Sequence, residues 1–193
     1  MKEYKDTRLY SFFRPIVFFL MKIFFRINII NNDLIPNDKK VILAGNHTSV
    51  LDAFLLMSTT KRHIHFLAKK ELFSGFTGII INNMGLVSVD RQAKDKKDVF
   101  INATNYLNNN KIIGIFPEGT TEKDKYPLLL PFKKGAVRLS YETNTEIIPF
   151  KIIGKYKLFR KSVKIVFGKS LKATKDLDKS NELLYNTINN MKE

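Results

Sequence analysis

The stretch Asn46-His47-Thr48-Ser49-Val50-Leu51-Asp52 sets an imidazole five positions ahead of a carboxylate, directly after the apolar run Val41-Ile42-Leu43-Ala44-Gly45. On one continuous helix, positions five apart lie about 140° apart and the two side chains do not meet. Across a strand-to-helix turn they can. A neutral histidine then keeps one ring nitrogen free to take a proton, while the carboxylate fixes the tautomer and stabilises the imidazolium that forms. Such a pair needs no Ser or Cys nucleophile if the substrate brings its own hydroxyl. Ser49-Val50-Leu51-Asp52 also fits a capping box, so Asp52 is equally explained as a helix starter and His47 as a strand-end histidine.

Other short blocks carry groups that such chemistry would use. Gly114-Ile115-Phe116-Pro117-Glu118-Gly119-Thr120-Thr121 follows a second apolar run, Ile112 to Phe116, and ends in a Pro/Gly turn. Gly119 permits positive φ and close backbone approach, and Pro117 stiffens the entrance to the turn. Gly85-Leu86-Val87-Ser88-Val89-Asp90-Arg91 is a β-branched run that ends in a guanidinium, and Glu146-Ile147-Ile148-Pro149-Phe150 reads as a further strand. His63 and His65 alternate on one strand, but no nearby carboxylate pair completes a metal site, so the sequence names no metal.

In this order the four blocks resemble the glycerophospholipid acyltransferase family, in particular its 1-acyl-sn-glycerol-3-phosphate acyltransferases. They correspond to that family's H-x-x-x-x-D block (His47 to Asp52), a block ending in Arg (Gly85 to Arg91), an F-P-E-G block (Phe116 to Gly119) and a late block with Pro in an apolar strand (Ile147 to Phe150). Ala68-Lys69-Lys70-Glu71-Leu72-Phe73 and Pro131-Phe132-Lys133-Lys134-Gly135-Ala136 also look like the family, and the resemblance covers about Lys39 to Ile153. It implies transfer of a fatty acyl group from acyl carrier protein or coenzyme A to the 2-hydroxyl of lysophosphatidic acid, with no further cofactor. It further implies His47 as base with Asp52 orienting it, and Arg91 on the acceptor phosphate, where a guanidinium holds two oxygens at once. Glu118 would accept from the glycerol hydroxyl or order the loop, Gly119 and Thr120 would offer backbone donors, and Lys69 would lie near the phosphate. Many members have Arg and Ser after the F-P-E-G-T run where this chain has Thr121 and Glu122, so no phosphate contact is carried over to that position. Another lysolipid acceptor stays open.

These residues need a scaffold, and 193 residues suit one domain with a sizeable core. Strands are expected at Val41–Gly45, His63–Leu67, Leu86–Val89, Ile112–Phe116, Ile147–Ile152 and Val163–Phe167. Helices are expected near Leu51–Thr59, Lys70–Asn82, Asp95–Asn108, Gly135–Glu142 and Asn181–Met191. Alternation of this kind predicts an α/β domain with a mostly parallel or mixed sheet flanked by helices. His47, Arg91 and Glu118 would all stand just past the carboxyl ends of strands, where ligand sites of such sheets lie.

With no Cys, thiol catalysis and disulfides are excluded. The formal charge of +15 points to anionic partners. Nine cations and no acid fall between Lys151 and Lys175, a stretch that suits phospholipid headgroups or an acidic carrier protein. The segment Leu9 to Ile30 holds Phe12, Phe13, Phe18, Phe19, Phe24 and Phe25 among aliphatics, yet its longest apolar run, Pro15 to Met21, is well short of the ~20 residues of a bilayer span. Arg14, Lys22 and Arg26 fall within about 120° on a helical wheel. This predicts an interfacial helix, residues 1–30, attached to an acyltransferase domain, residues 31–193, on the cytoplasmic face of the cell membrane as a peripheral or monotopic protein. A basic nucleic-acid-binding protein is the rival, but no nucleic-acid motif is present and the aromatics sit among aliphatics rather than on a polar stacking platform. A non-catalytic membrane adaptor is the other.

Overall fold

The computed structural model describes residues 7–69, 85–89, 97–121 and 129–191. A seven-stranded sheet runs through it in the order β1-β7-β6-β2-β5-β3-β4. Its strands are β1 (Asn28–Ile30), β2 (Val41–Gly45), β3 (Ile64–Lys69), β4 (Val87–Val89), β5 (Ile112–Ile115), β6 (Ile147–Gly154) and β7 (Val163–Phe167). The helices are α1 (Arg8–Phe25), α2 (Asp52–Met57), α3 (Lys97–Asn108), α4 (Gly135–Thr143) and α5 (Leu177–Asn190). All neighbouring strands pair in parallel except β6 and β7, which form an antiparallel hairpin. The sheet is therefore mixed, and the helix expected near Lys70–Asn82 lies outside the described residues.

Two apolar layers explain why β2 is buried at every position. Val41 and Leu43 face a core shared with Met21, Leu55, Leu56, Phe150 and Ile165, on the side of α1 and α2. Ile42 and Ala44 face a second core with Ala103, Leu107, Leu139, Leu184 and Ile188, on the side of α3, α4 and α5. Strands covered on both faces read as unbroken apolar runs, which is why this one was legible as a strand without alternation.

The N-terminal segment departs from expectation. The helix stops at Phe25, Arg26 turns into the left-handed region, and Asn28–Ile30 pairs with β7 as the edge strand of the sheet. Ile27 and Met21 are core residues and the Tyr10 hydroxyl accepts from the Ile64 N–H. The segment thus contributes Met21 and Ile27 to the core of the α/β domain, and the run after the helix pairs with the otherwise open edge of β7. Arg14 Nε donates to the Thr60 carbonyl at 2.7 Å and pins the helix to the domain. The outer face of α1 still carries Phe12, Phe19 and Leu20 in the open, at 64%, 62% and 44% exposure. Among the described residues no helix is long and apolar enough to cross a membrane.

Candidate active site

His47 stands two residues beyond β2, at the centre of the sheet. Gly45 allows this, because a Cβ there would meet the Phe150 ring and backbone of β6 at 2.3–2.4 Å. Asn46 then extends the pairing with its side chain, donating to the Ile152 carbonyl at 2.8 Å and accepting the Ile152 N–H at 2.6 Å. The backbone is thus held until it delivers the imidazole.

Asp52 opens α2, and its fully buried carboxylate gathers the turn around itself. Its Oδ2 lies 2.9 Å from His47 Nδ1 and accepts the backbone N–H groups of Thr48 and of Ser49, the latter at 2.8 Å. Its Oδ1 accepts the Thr48 hydroxyl at 3.1 Å and the Tyr156 hydroxyl at 2.7 Å. The bond back to Ser49 closes the turn that leads into α2, so the turn-closing role and the histidine-orienting role coexist in one side chain. Burial pushes the Asp52 carboxyl up, but the bonds from His47, Tyr156, Ser49 and Thr48 outweigh it and hold the group below its ordinary value. With Nδ1 committed to Asp52, Nε2 is the basic nitrogen of His47.

The F-P-E-G block serves His47 directly. The Phe116 ring stacks on the imidazole at 4.0 Å between centroids and 13° between planes, and meets Phe150 edge-on at 5.9 Å. Glu118 is buried, and its two oxygens accept the His47 N–H at 2.8 Å and the Leu130 N–H at 2.9 Å. Glu118 thereby ties the loop that carries His47 to the loop that carries Leu130. Glu118→Ala would strand two amides, at about 1–3 kcal/mol each for a buried unsatisfied group. We expect that variant to show a lower Tm and a deep loss of activity, read by thermal melting alongside turnover.

Gly119 has φ +72°, and its N–H closes the turn on the Phe116 carbonyl at 3.0 Å. A Cβ at this position would lie 2.8 Å from Lys133 Nζ, so the missing side chain is what lets the Lys133 ammonium rest against the loop. Thr120 follows half-buried. Lys69 ends β3 on the same edge of the sheet, but its side chain lies outside the described structure, and Arg91 lies outside the described residues altogether.

Sequence reasoning missed Lys133 as a neighbour of Gly119, and it missed Tyr156. The latter sits 104 positions from Asp52, in the irregular β6–β7 turn, with no periodic signal to mark it. Burial, then the Asp52 charge and the bond to it, push the Tyr156 hydroxyl well above its ordinary range, so it stays a donor at any working pH. Tyr156→Phe should fold and bind substrate normally while turnover falls about ten-fold, the worth of one charge-assisted bond. An unchanged KM with reduced kcat checks this. His63 and His65 are structural, in a stack that runs Tyr10, His63, His65, Tyr106 at 3.7–4.1 Å. Among the described residues no group of three potential ligands could hold a metal.

A buried carboxylate bonded to a histidine at the carboxyl end of a central strand is an arrangement able to orient an imidazole as a base. The chain belongs to the acyltransferase family, whose model matches residues 26–153. It is 28% identical to a 1-acyl-sn-glycerol-3-phosphate acyltransferase of Borreliella burgdorferi over 76% of this chain and 58% of that protein. It is 27% identical to the enzyme of that name from Bacillus subtilis over 75% of this chain and 73% of that one. An uncharacterised acyltransferase of Schizosaccharomyces pombe is 32% identical over 80% and 56%. The chain therefore spans 58% and 56% of the length of the first two curated relatives it matches. The fold is that of the 1-acyl-sn-glycerophosphate acyltransferase PlsC from Thermotoga maritima, at TM-score 0.74 and 19% identity, over 93% of this chain and 75% of that one.

Proposed function

We propose that this protein transfers a fatty acyl group from an acyl thioester to the 2-hydroxyl of 1-acyl-sn-glycerol-3-phosphate, forming phosphatidic acid. The observation that carries the reading is the His47 Nδ1–Asp52 Oδ2 contact at 2.9 Å, with Nε2 left as base. Names of relatives on both sides of the bacterial–eukaryotic divide support the acceptor. His47 Nε2 takes the proton of the 2-hydroxyl as its oxygen attacks the thioester carbonyl. The tetrahedral oxyanion then collapses, breaking the carbon–sulfur bond, and the departing thiolate recovers the proton from His47. Asp52 stays ionised throughout and stabilises the imidazolium between the two transfers. The donor is acyl carrier protein or coenzyme A, both of which present the same thioester.

Arg91, Lys69 and Lys133 are the cations assigned to the acceptor phosphate, the last on the ground of its seat against Gly119. Arg91→Ala should raise the acceptor KM at least ten-fold and leave the donor KM unchanged, and Arg91→Lys should recover only part, since an ammonium is a point charge. The exposed aromatics of α1 fit a protein that works from the surface of the cytoplasmic membrane. The test of the whole reading is incubation of the protein, in detergent or liposomes, with lysophosphatidic acid or another lysolipid and each donor, with product lipids read by mass spectrometry. Phosphatidic acid that forms with wild type and not with His47→Ala supports it. Absence of product with either donor overturns it.

A further inference from the structure

The β6–β7 turn offers its apolar side chains to solvent. Leu158 and Phe159 are 61% and 57% exposed, and Phe159 has φ +59°, a left-handed conformation that costs a bulky residue strain. What holds it there is α1: the Phe159 N–H donates to the Phe24 carbonyl at 2.5 Å, and the two rings meet at 5.5 Å. The backbone thus spends strain to keep two large apolar groups outside, next to the exposed face of α1. Surface leucines and phenylalanines scattered singly need no explanation, but a joined patch does.

Behind the patch lies a cavity of about 480 Å³, lined among others by Lys22 and Arg26 of the α1 terminus and by Lys161, Ser162 and Lys164 of the hairpin. Lys155, Lys157 and Arg160 stand exposed on the same turn, and no acid occurs between Lys151 and Lys175. Because β6 runs parallel to β2, this turn leaves the sheet on the edge where His47 stands. From the turn Tyr156 reaches Asp52, while packing edge-on against Phe25 of α1 at 5.4 Å.

We propose that the β6–β7 turn is a second membrane-docking element, in which Leu158 and Phe159 enter the acyl boundary beside α1 and the cavity behind them receives anionic phospholipid headgroups. The apolar tip and the cations match the two layers of an anionic leaflet: hydrocarbon below, phosphate above. Docking this edge would turn the His47 side of the sheet toward the bilayer from which a lipid acceptor must come. The inference rests on the membrane reading of α1 and adds to it a site, a lipid charge and an orientation.

The test uses the full chain and sedimentation with vesicles of phosphatidylcholine, alone or mixed with phosphatidylglycerol. Lys22→Gln/Lys161→Gln should weaken binding to the anionic vesicles about thirty-fold, from two lost headgroup contacts, with little change on phosphatidylcholine. Leu158→Ser/Phe159→Asn should weaken binding to both vesicle types about ten-fold, and that loss should persist at high salt. Asn tolerates the left-handed backbone, so an unchanged melting curve and unchanged activity on micellar acceptor show that the second variant is folded. If both variants bind as wild type while Phe12→Ser/Phe19→Ser does not, α1 alone docks and the proposal falls with the membrane reading intact. If wild type pellets with neither vesicle, both fall. If the lysine variant instead loses an acidic carrier protein and keeps vesicle binding, the turn is a protein-docking surface and the proposal is overturned.

Discussion

His47→Ala is expected to leave a folded protein whose acyl transfer drops by about three to four powers of ten, the upper range for a positioned general base. The fold should survive because the Asp52 carboxylate keeps other donors when the imidazole is gone. The amides of Thr48 and Ser49 and the hydroxyls of Thr48 and Tyr156 still point at it. The His47 N–H on Glu118 is backbone and is untouched. What is lost is the base and a ring stacked on Phe116, neither of which closes a core layer. Residual turnover should respond to added hydroxide, since no other group in the turn is free to take the proton from the acceptor. A single-turnover assay with an excess of acyl donor separates this from a binding defect. Near-normal turnover in the variant would sink the mechanism.

How much of this was legible in the sequence differs by residue. β2, β5 and the neighbourhood of His47 and Asp52 could be read because an unbroken apolar run that ends in polar residues is the pattern of a buried strand opening onto a turn. The F-P-E-G block was visible as a turn, yet its purpose was not. That Phe116 stacks on His47 and Glu118 holds its backbone amide follows only from β2 and β5 lying side by side. Tyr156 was out of reach for the same reason, a contact made by tertiary folding across an irregular turn. Residues 27–30 misled because an amphipathic helix followed by apolar residues reads as more helix. The choice of strand there is made by the open edge of β7, which local propensity does not contain. The bond from Arg14 to Thr60 was also out of reach, since a helical wheel places cations on one arc but does not say which carbonyl one of them will find.

Asp52→Asn should behave differently from the analogous change in a hydrolase triad, where the amide presents the wrong group to histidine and the tautomer is lost. Here the three N–H donors, from His47, Thr48 and Ser49, all converge on Oδ2, while Oδ1 is met only by the hydroxyls of Thr48 and Tyr156. An asparagine can put its oxygen where Oδ2 is and its NH2 where Oδ1 is, because hydroxyls rotate and accept as readily as they donate. Every bond is then kept, His47 keeps its tautomer, and only the negative charge is removed. The expected loss is about two to three powers of ten in kcat, from an imidazolium that forms without its counter-charge, with KM for both substrates unchanged. Asp52→Ala, which abandons the amides as well, should unfold the turn and lose stability too. The charge also sets a pH dependence. Since the folded carboxyl lies below its ordinary value of 3.8, the stability it confers is fully present above that pH and is lost as pH falls through the depressed folded value. The Tm advantage of wild type over Asp52→Asn should therefore shrink on acidification below about pH 4. Melting curves of the two proteins from pH 7 to pH 3 measure it; a gap that stays constant would mean that folding does not shift the carboxyl, and a gap that moves in favour of wild type on acidification would mean that the carboxyl is protonated in the folded protein.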